Sequence, residues 1–183
     1  MFPLNLANTL TLLRILAVPV VVVALLGETP NGDALAAGVF ALAALTDGLD
    51  GYFARSRDAI TTFGKLMDPL ADKLLITAAL VSLVSLNRLQ AWVAMVIIAR
   101  EIAVTGLRAI AAERGVVIAA SWLGKLKTVL QIAAIAWYLW PFPHPLDLVG
   151  PWLMGAALVV TVVTGGDYLL QALRLRRDHQ AKP

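Results

Sequence analysis

Six long apolar stretches, separated by short polar turns, constrain the fold of this chain more than any other feature. They run over residues about 10–27, 34–54, 67–87, 90–112, 120–141 and 149–172. Roughly 20 helical residues cross a hydrocarbon core of about 30 Å, and each stretch is close to that length. The runs are continuous rather than alternating, and helices satisfy their own backbone groups in lipid, which disfavours a barrel. The sequence therefore predicts an all-α, polytopic membrane protein, a bundle of six transmembrane helices.

The turns between the stretches carry residues that end helices. Residues 27–33 read GETPNGD, and residues 141–151 read PFPHPLDLVGP, with four prolines that forbid a continuous helix. Only 15% of the residues are charged, against about a quarter in soluble domains. Cysteine is absent, which excludes disulfides and thiolate metal sites. We expect a single integral membrane domain over residues 1–183, with an interfacial segment at about 1–10 and a basic tail at about 173–183.

The basic residues predict the orientation in the membrane. The turns at 27–33, 87–89 and 142–148 contain one of them, Arg88. The opposite ends hold Arg55, Arg57, Lys65, Arg114, Lys125, Lys127, Arg174, Arg176, Arg177 and Lys182. By the positive-inside rule, both termini and the connection between the second and third stretches face the cytoplasm, and we expect a multi-pass protein of the cell (inner) membrane. The net charge of +3 then reflects topology. The expected partners are membrane lipids, and no nucleic acid partner is expected.

Four of the five aspartates in LTDGLDGYFARSRDAITTFGKLMDPLADKLL, residues 45–75, lie inside the second and third apolar stretches. Asp47 and Asp50 are three residues apart, and Asp68 and Asp72 are four apart, so on helices each pair shares a face. Like charges that converge in an apolar setting repel one another, and a divalent cation reverses this by neutralising the ionised form. Oxygen ligands without Cys or a nearby His favour Mg²⁺ or Mn²⁺.

Small residues and an arginine accompany the acids. Gly51 follows Asp50, and Gly64 precedes Asp68 by four residues, so both leave room for a ligand to approach the backbone. Ala54 adds a short side chain beside Arg55, whose planar guanidinium binds phosphate oxygens through several donors. Carboxylates, a metal ion and an arginine together indicate a substrate that carries phosphate.

The complete pattern, DxxDGxxARx(8)GxxxDxxxD from Asp47 to Asp72, resembles the signature of the CDP-alcohol phosphatidyltransferase family, and every position of it is filled. Further segments extend the resemblance over nearly the whole chain: NLANTLTLLRILAVP near the start, IIAREIAVTGLRAIAAERG at 97–115, SWLGKLKTVLQ at 121–131 and GGDY at 165–168. The family's fold of six transmembrane helices agrees with the count made from the apolar stretches.

The resemblance implies an enzyme, a metal-dependent phosphatidyltransferase. It would transfer the phosphatidyl group of CDP-diacylglycerol to the primary hydroxyl of sn-glycerol 3-phosphate, releasing CMP, with two ions of Mg²⁺ or Mn²⁺ and as a homodimer. The metal ligands would be Asp47, Asp50, Asp68 and Asp72, and Asp72 would also be the catalytic base. The residues implied for CDP-diacylglycerol binding are Asn8, Thr11, Asp50, Gly51, Ala54, Arg55, Thr61 and Gly64.

The phosphate of the acceptor needs a separate positive site. Arg100 and Arg108 are eight residues apart, approximately on one face of a helix, and Lys125 begins the next helix from the same side. An arginine in the middle of an apolar span is costly and marks either function or a paired interior site, so Arg100 paired with Glu101 for structure alone stays an alternative. A second alternative is that Lys125 and Lys127 are ordinary anchors at the cytoplasmic surface of the membrane.

Two alternative functions also remain open at this point. The same chemistry could use another acceptor, such as inositol phosphate or serine. A protein of a different class, a membrane cation transporter, could also bury acids among helices with the metal as cargo. The transporter leaves Gly51, Ala54 and Arg55 unexplained at their fixed distances from the acids.

Overall fold

A computed structural model gives the structure of the chain, which is described over residues 6–27, 29–53, 62–113 and 121–180. Side chains are described over residues 9–27, 29–46, 70–71, 73–112 and 121–171. Throughout these parts of the chain the regular secondary structure is helical. The all-α fold class predicted from the apolar stretches is confirmed for them.

Six α-helices occupy the described ranges, and each coincides with one predicted apolar stretch. They are α1 (Leu6–Leu26), α2 (Gly32–Phe53), α3 (Thr62–Ser85), α4 (Ala91–Glu113), α5 (Trp122–Leu139) and α6 (Val149–Gln180). The boundaries differ from the predicted ones by a few residues, because helical backbone continues beyond the apolar run at several ends. α3 starts five residues before the predicted position 67, and α6 continues through the basic segment to Gln180.

The backbone is tightly constrained in the turns that follow α1 and α3. Between α1 and α2, a Cβ added to Gly27 would lie 2.6 Å from the carbonyl oxygen of Val23, so a larger residue does not fit there. After α3, Asn87 adopts a left-handed conformation with φ 56°. The Arg88 amide then donates to the carbonyl of Leu83 at 2.9 Å. Asparagine tolerates this conformation better than most residues, which explains how the helix ends without glycine or proline.

Side chains fix both ends of α5, and those at its second end order the connection to α6. At its start, the Ser121 hydroxyl accepts a hydrogen bond from the Gly124 amide at 3.1 Å and caps the helix. Near its end, the indole of Trp137 stacks on Phe142 with ring centroids 4.3 Å apart. The same indole donates to the Leu146 carbonyl at 2.8 Å, just before α6 begins. These contacts return the chain as an antiparallel helix pair.

The helices pack around one apolar core. α1 lies against α2 and α3, α5 against α6, α4 against α6, and α2 against α5. Fully buried side chains from α1 to α5 meet there, among them Val21, Phe40, Leu80, Ile97 and Ile135. Large apolar residues are also abundant on the outside, where Trp152 is 81% exposed. An apolar exterior around an apolar core is what lipid as a solvent permits.

Polar and charged side chains occupy the interior of this bundle. Those that are buried include Thr11, Arg14, Lys127, Gln131 and Thr164. A charged side chain inside a membrane bundle is costly and usually faces a partner or a polar cavity. The interior therefore contains a polar region, which is the natural place to look for a site.

Two helical stretches in the described part of the chain are long and apolar enough to cross a membrane on length and composition alone. They are Thr9–Leu26 and Leu146–Gln171. Gly32–Thr46 and Lys73–Ser85 are apolar but shorter. The acidic motif limits the apolar length of α2 and α3, and Arg100, Glu101 and Arg108 interrupt α4. The predicted number of six membrane spans therefore stays a prediction, although all six helices are present.

Candidate functional site

The acidic motif lies on α2 and α3. Asp47 and Asp50 belong to the carboxyl-terminal half of α2, and Asp68 and Asp72 to the first half of α3. The backbone is helical at all four positions, which confirms the assumption behind the spacing argument. Their side chains lie outside those that the structure describes, so the convergence of the four carboxylates stays a prediction.

Of the other residues predicted to bind CDP-diacylglycerol, four lie on described helices and three lie outside the described residues. Gly51 and Gly64 lie on helical backbone, in α2 and α3. Thr11 lies in α1 with a buried side chain, whereas the side chain of its neighbour Asn8 is not described. The remaining three predicted residues, Ala54, Arg55 and Thr61, lie outside the described residues.

A cavity of ≈ 200 Å³ lies beside the motif, enclosed by α1 to α5. Four ionisable side chains line it: Arg14 from α1, Lys73 from α3, Glu101 from α4 and Lys127 from α5. Lys73 directly follows Asp72, so the cavity borders the last aspartate of the motif along the chain. Among the described lining side chains, three are cationic and one is acidic, a set of the kind that can bind an anion.

Glu101 connects two of the interior cations. Its Oε1 accepts a hydrogen bond from Nη1 of Arg100 at 3.0 Å. The same oxygen accepts a short hydrogen bond from Nζ of Lys127, which reaches it from α5. The Lys127 side chain is only 4% exposed, Arg100 is 12% exposed and Glu101 is 21% exposed. Solvent and salt screen a buried ion pair less than a surface pair. Removing one partner of this network should therefore be costly, because the other charge would remain buried without compensation.

Arg100 is also fastened to α6. Its Nη2 donates to Oγ1 of Thr164 at 2.8 Å, and its guanidinium carbon lies 5.7 Å from the ring centroid of Tyr168. A Cβ added to Gly165 would lie 3.3 Å from Cγ of Arg100, so the arginine stem passes close to this glycine. These contacts, together with the ion pair to Glu101, give Arg100 partners on two helices. The structural alternative noted for Arg100 is thus present in the fold.

The three residues predicted to bind the acceptor phosphate differ in their exposure. Arg100 is part of the interior network described above, while Arg108 and Lys125 have exposed side chains. The cavity is lined by Lys127 instead of its neighbour Lys125. A role for Arg100, Arg108 and Lys125 toward the acceptor stays a prediction.

Sequence reasoning missed Arg14 and Lys73 as site residues. Arg14 is the single charged residue of α1, and its side chain is 2% exposed. A lone arginine in an apolar span was an available signal, since such a residue is expensive unless it serves an interior site. Lys73 could have been noticed as the neighbour of Asp72, but only the fold shows that it lines a cavity.

Outside the motif, the described side chains contain no donor set for a metal ion. Among the side chains that are described, no group of three or more His, Asp or Glu could hold an ion. The four aspartates of the motif are outside that set, on two consecutive helices. One helical turn between the members of each pair, and oxygen as the donor atom throughout, fit a hard divalent cation.

Comparison with known proteins adds an independent result. A sequence model of the family described as CDP-alcohol phosphatidyltransferase matches residues 4–163. A Mycobacterium tuberculosis protein named "Probable phosphatidylglycerophosphate synthase" is 46% identical over 173 residues, covering 93% of this chain and 82% of that protein. The Bacillus subtilis protein named CDP-diacylglycerol–glycerol-3-phosphate 3-phosphatidyltransferase is 43% identical, covering 90% of this chain and 93% of the relative. A Salmonella choleraesuis protein with the same name is 38% identical, covering 92% and 94%. The chain therefore belongs to the CDP-alcohol phosphatidyltransferase family.

Proposed function

We propose that this chain transfers the phosphatidyl group of CDP-diacylglycerol to sn-glycerol 3-phosphate, giving phosphatidylglycerol phosphate and CMP. One structural observation carries the proposal: a small cavity lined by three cationic side chains and one acidic side chain borders the helix that holds the end of the acidic motif. The relatives named as glycerol-3-phosphate 3-phosphatidyltransferases support the same acceptor. Serine has no phosphate for these cations to bind, whereas a phosphorylated acceptor does.

The size of the cavity separates the two substrates. At ≈ 200 Å³ it is smaller than the sites of drug-sized ligands, which measure roughly 300–1,000 Å³. A small phosphorylated alcohol fits a space of this kind, but a nucleotide attached to two acyl chains does not. We place the phosphate of glycerol 3-phosphate in the cavity, near Arg14, Lys73 and Lys127. The acyl chains of CDP-diacylglycerol stay in the surrounding lipid.

The aspartates of the motif would serve the diphosphate of CDP-diacylglycerol. Asp47, Asp50, Asp68 and Asp72 are the residues that would hold two ions of Mg²⁺ or Mn²⁺, which when bound offset the charge that develops on the transferred phosphorus and on the leaving CMP. Support for this comes from the helical backbone at the four positions and from the all-oxygen donor set. Gly51, Gly64 and Arg55 would accommodate the nucleotide and its phosphates.

The reaction itself is a single displacement. The primary hydroxyl oxygen of glycerol 3-phosphate forms a bond to the phosphorus that carries diacylglycerol, and the phosphoanhydride bond to CMP breaks. CMP leaves with the electron pair of that bond, and Asp72 accepts the proton of the attacking hydroxyl. Because Lys73 lines the cavity and follows Asp72, an acceptor bound there would lie close to this base.

The arrangement in the membrane completes the proposal. Family membership and the two apolar helices indicate a membrane protein. We propose further that the whole chain is one multi-pass catalytic domain of the inner membrane, with both termini and the active site cytoplasmic. The distribution of basic residues supports this orientation, since Arg88 is the lone Lys or Arg in the three turns at the other side. A homodimer is part of the same proposal.

An acceptor screen tests the function. The protein, purified in detergent micelles, is mixed with CDP-diacylglycerol and Mg²⁺ or Mn²⁺, and glycerol 3-phosphate, inositol phosphate and serine are offered separately. The proposal expects CMP release and a new phospholipid with glycerol 3-phosphate. A clear preference for another acceptor would refute the acceptor assignment. Metal flux into proteoliposomes without CMP release would instead favour the transporter.

A further inference from the structure

Glu101 presents a physical problem in a cavity that binds an anion. Its carboxylate lines the cavity with three cations, and it would repel an incoming phosphate. A site optimised only for positive potential would have no acid at this position. The contacts of Glu101 suggest what it provides in return, because its Oε1 holds both Arg100 and Lys127.

We propose that Glu101 is a positioning residue for the acceptor site: it fixes the ammonium group of Lys127 at the wall of the cavity. The inference rests on the proposed function, because it assigns Lys127 to the phosphate of glycerol 3-phosphate. A lysine side chain has a flexible four-carbon stem and can adopt many rotamers. A short hydrogen bond to a carboxylate on the neighbouring helix selects one of its conformations before the acceptor arrives.

Arg100 gives Glu101 its own support. The guanidinium donates to Glu101 through Nη1 and to Thr164 through Nη2, so it bridges α4 and α6. Its position over Tyr168 adds a further contact on α6. A chain of contacts therefore runs from α6 through Arg100 and Glu101 to Lys127 on α5. The acid also offsets the repulsion between two cations that would otherwise be buried side by side.

The sign of one kinetic effect distinguishes positioning from simple charge balance. If Glu101 only reduces the positive potential, Glu101→Gln should strengthen binding of the anionic acceptor and lower its KM. If Glu101 positions Lys127, the same substitution should raise the KM for glycerol 3-phosphate about tenfold, a loss of about 1.4 kcal/mol of binding. The KM for CDP-diacylglycerol should change much less. An unchanged or lowered acceptor KM would overturn the proposal.

Glu101→Asp provides a second test in case the glutamine variant does not fold. It keeps the charge but withdraws the carboxylate by one methylene, so the contact with Lys127 is lost while the potential is nearly preserved. We expect a higher acceptor KM here as well. An acceptor KM equal to that of the wild type would contradict positioning, since charge balance alone predicts that result.

A double-mutant cycle shows whether Glu101 acts through Lys127. Glu101→Gln should raise the acceptor KM in the wild-type background and should raise it no further in a Lys127→Gln background. Additive increases would mean that the two residues act independently, and the proposal would fail.

Asp33→Asn is the matched control, because Asp33 also pairs with an arginine, Arg88, at 2.8 Å but lies at a turn outside the cavity. It should leave both KM values unchanged. All variants are compared with the wild type, and the acceptor screen of the wild type tests the proposed function separately. If the wild type transfers to glycerol 3-phosphate but Glu101→Gln lowers the KM for that acceptor, the positioning role alone is refuted.

Discussion

Replacing Arg14 by glutamine tests the location of the acceptor phosphate most directly. Arg14 is the cavity-lining cation contributed by α1, and its side chain is nearly inaccessible to solvent. Of the four ionisable groups lining the cavity, Arg14→Gln would leave two cations and one acid. Glutamine keeps much of the length and one donor group, so the substitution removes chiefly the charge.

The expected magnitude follows from the interaction that is lost. A hydrogen bond to a charged group contributes about 1.5–3 kcal/mol, and a difference of about 1.4 kcal/mol is tenfold in affinity. Arg14→Gln should therefore raise the KM for glycerol 3-phosphate by about tenfold to a hundredfold. The KM for CDP-diacylglycerol should change little, because the diphosphate is assigned to the motif on α2 and α3.

The assay is CMP release by the purified protein, with each substrate varied in turn at a saturating concentration of the other. Arg88→Gln serves as the control, since Arg88 is exposed at a distant turn. Arg108→Gln is the comparison, because Arg108 is an exposed alternative for the acceptor phosphate. A larger effect at Arg108 than at Arg14, or an equal rise of both KM values in Arg14→Gln, would refute the placement of the phosphate in the cavity.

Three further predictions concern the motif and the core. Asn at Asp47, Asp50 or Asp68 should lower turnover by orders of magnitude while the protein still inserts, because a charged metal ligand is lost; near-normal turnover in all three variants would exclude a metal site there. The Asp72→Asn variant should still bind CDP-diacylglycerol with Mg²⁺ or Mn²⁺ but form product at least about a hundredfold more slowly. Loss of both binding and turnover would show that Asp72 acts chiefly as a metal ligand. Gln131→Leu should keep or raise the melting temperature in detergent, because both polar atoms of this buried amide lack a hydrogen-bond partner in the described structure. A clear drop in melting temperature would show that the amide makes hydrogen bonds in the folded protein.

The helices were predictable because their cause is local. A continuous apolar run of about 20 residues has few alternatives to a helix in lipid, so the positions of all six helices follow from the sequence. The sequence marks the end of α3 with neither glycine nor proline, and the structure shows what ends the helix instead. The turn depends on a left-handed Asn87, which leaves a weaker mark in the sequence than glycine or proline.

The two parts of the candidate site differ in the same way. The acidic motif is short and has fixed spacing, so it can be recognised along the chain without knowledge of the fold. The cationic network joins residues that are distant in sequence: Glu101 and Lys127 are 26 positions apart, and Arg100 and Thr164 are 64 apart. No local pattern encodes such pairs, because packing of α4 and of α5 against α6 and α3 determines which cation faces the cavity. This is why Lys127, rather than Lys125, lines it.

The close passage of Arg100 beside Gly165 has a consequence for how this scaffold can diversify. α6 contributes no described side chain to the lining of the cavity, yet Thr164, Gly165 and Tyr168 determine where Arg100 stands. A methyl group at position 165 would press on the stem of the arginine and, through Glu101, shift Lys127. If Lys127 holds the acceptor phosphate as proposed, a substitution on α6 can change the affinity for the acceptor without altering any residue proposed to touch the substrate.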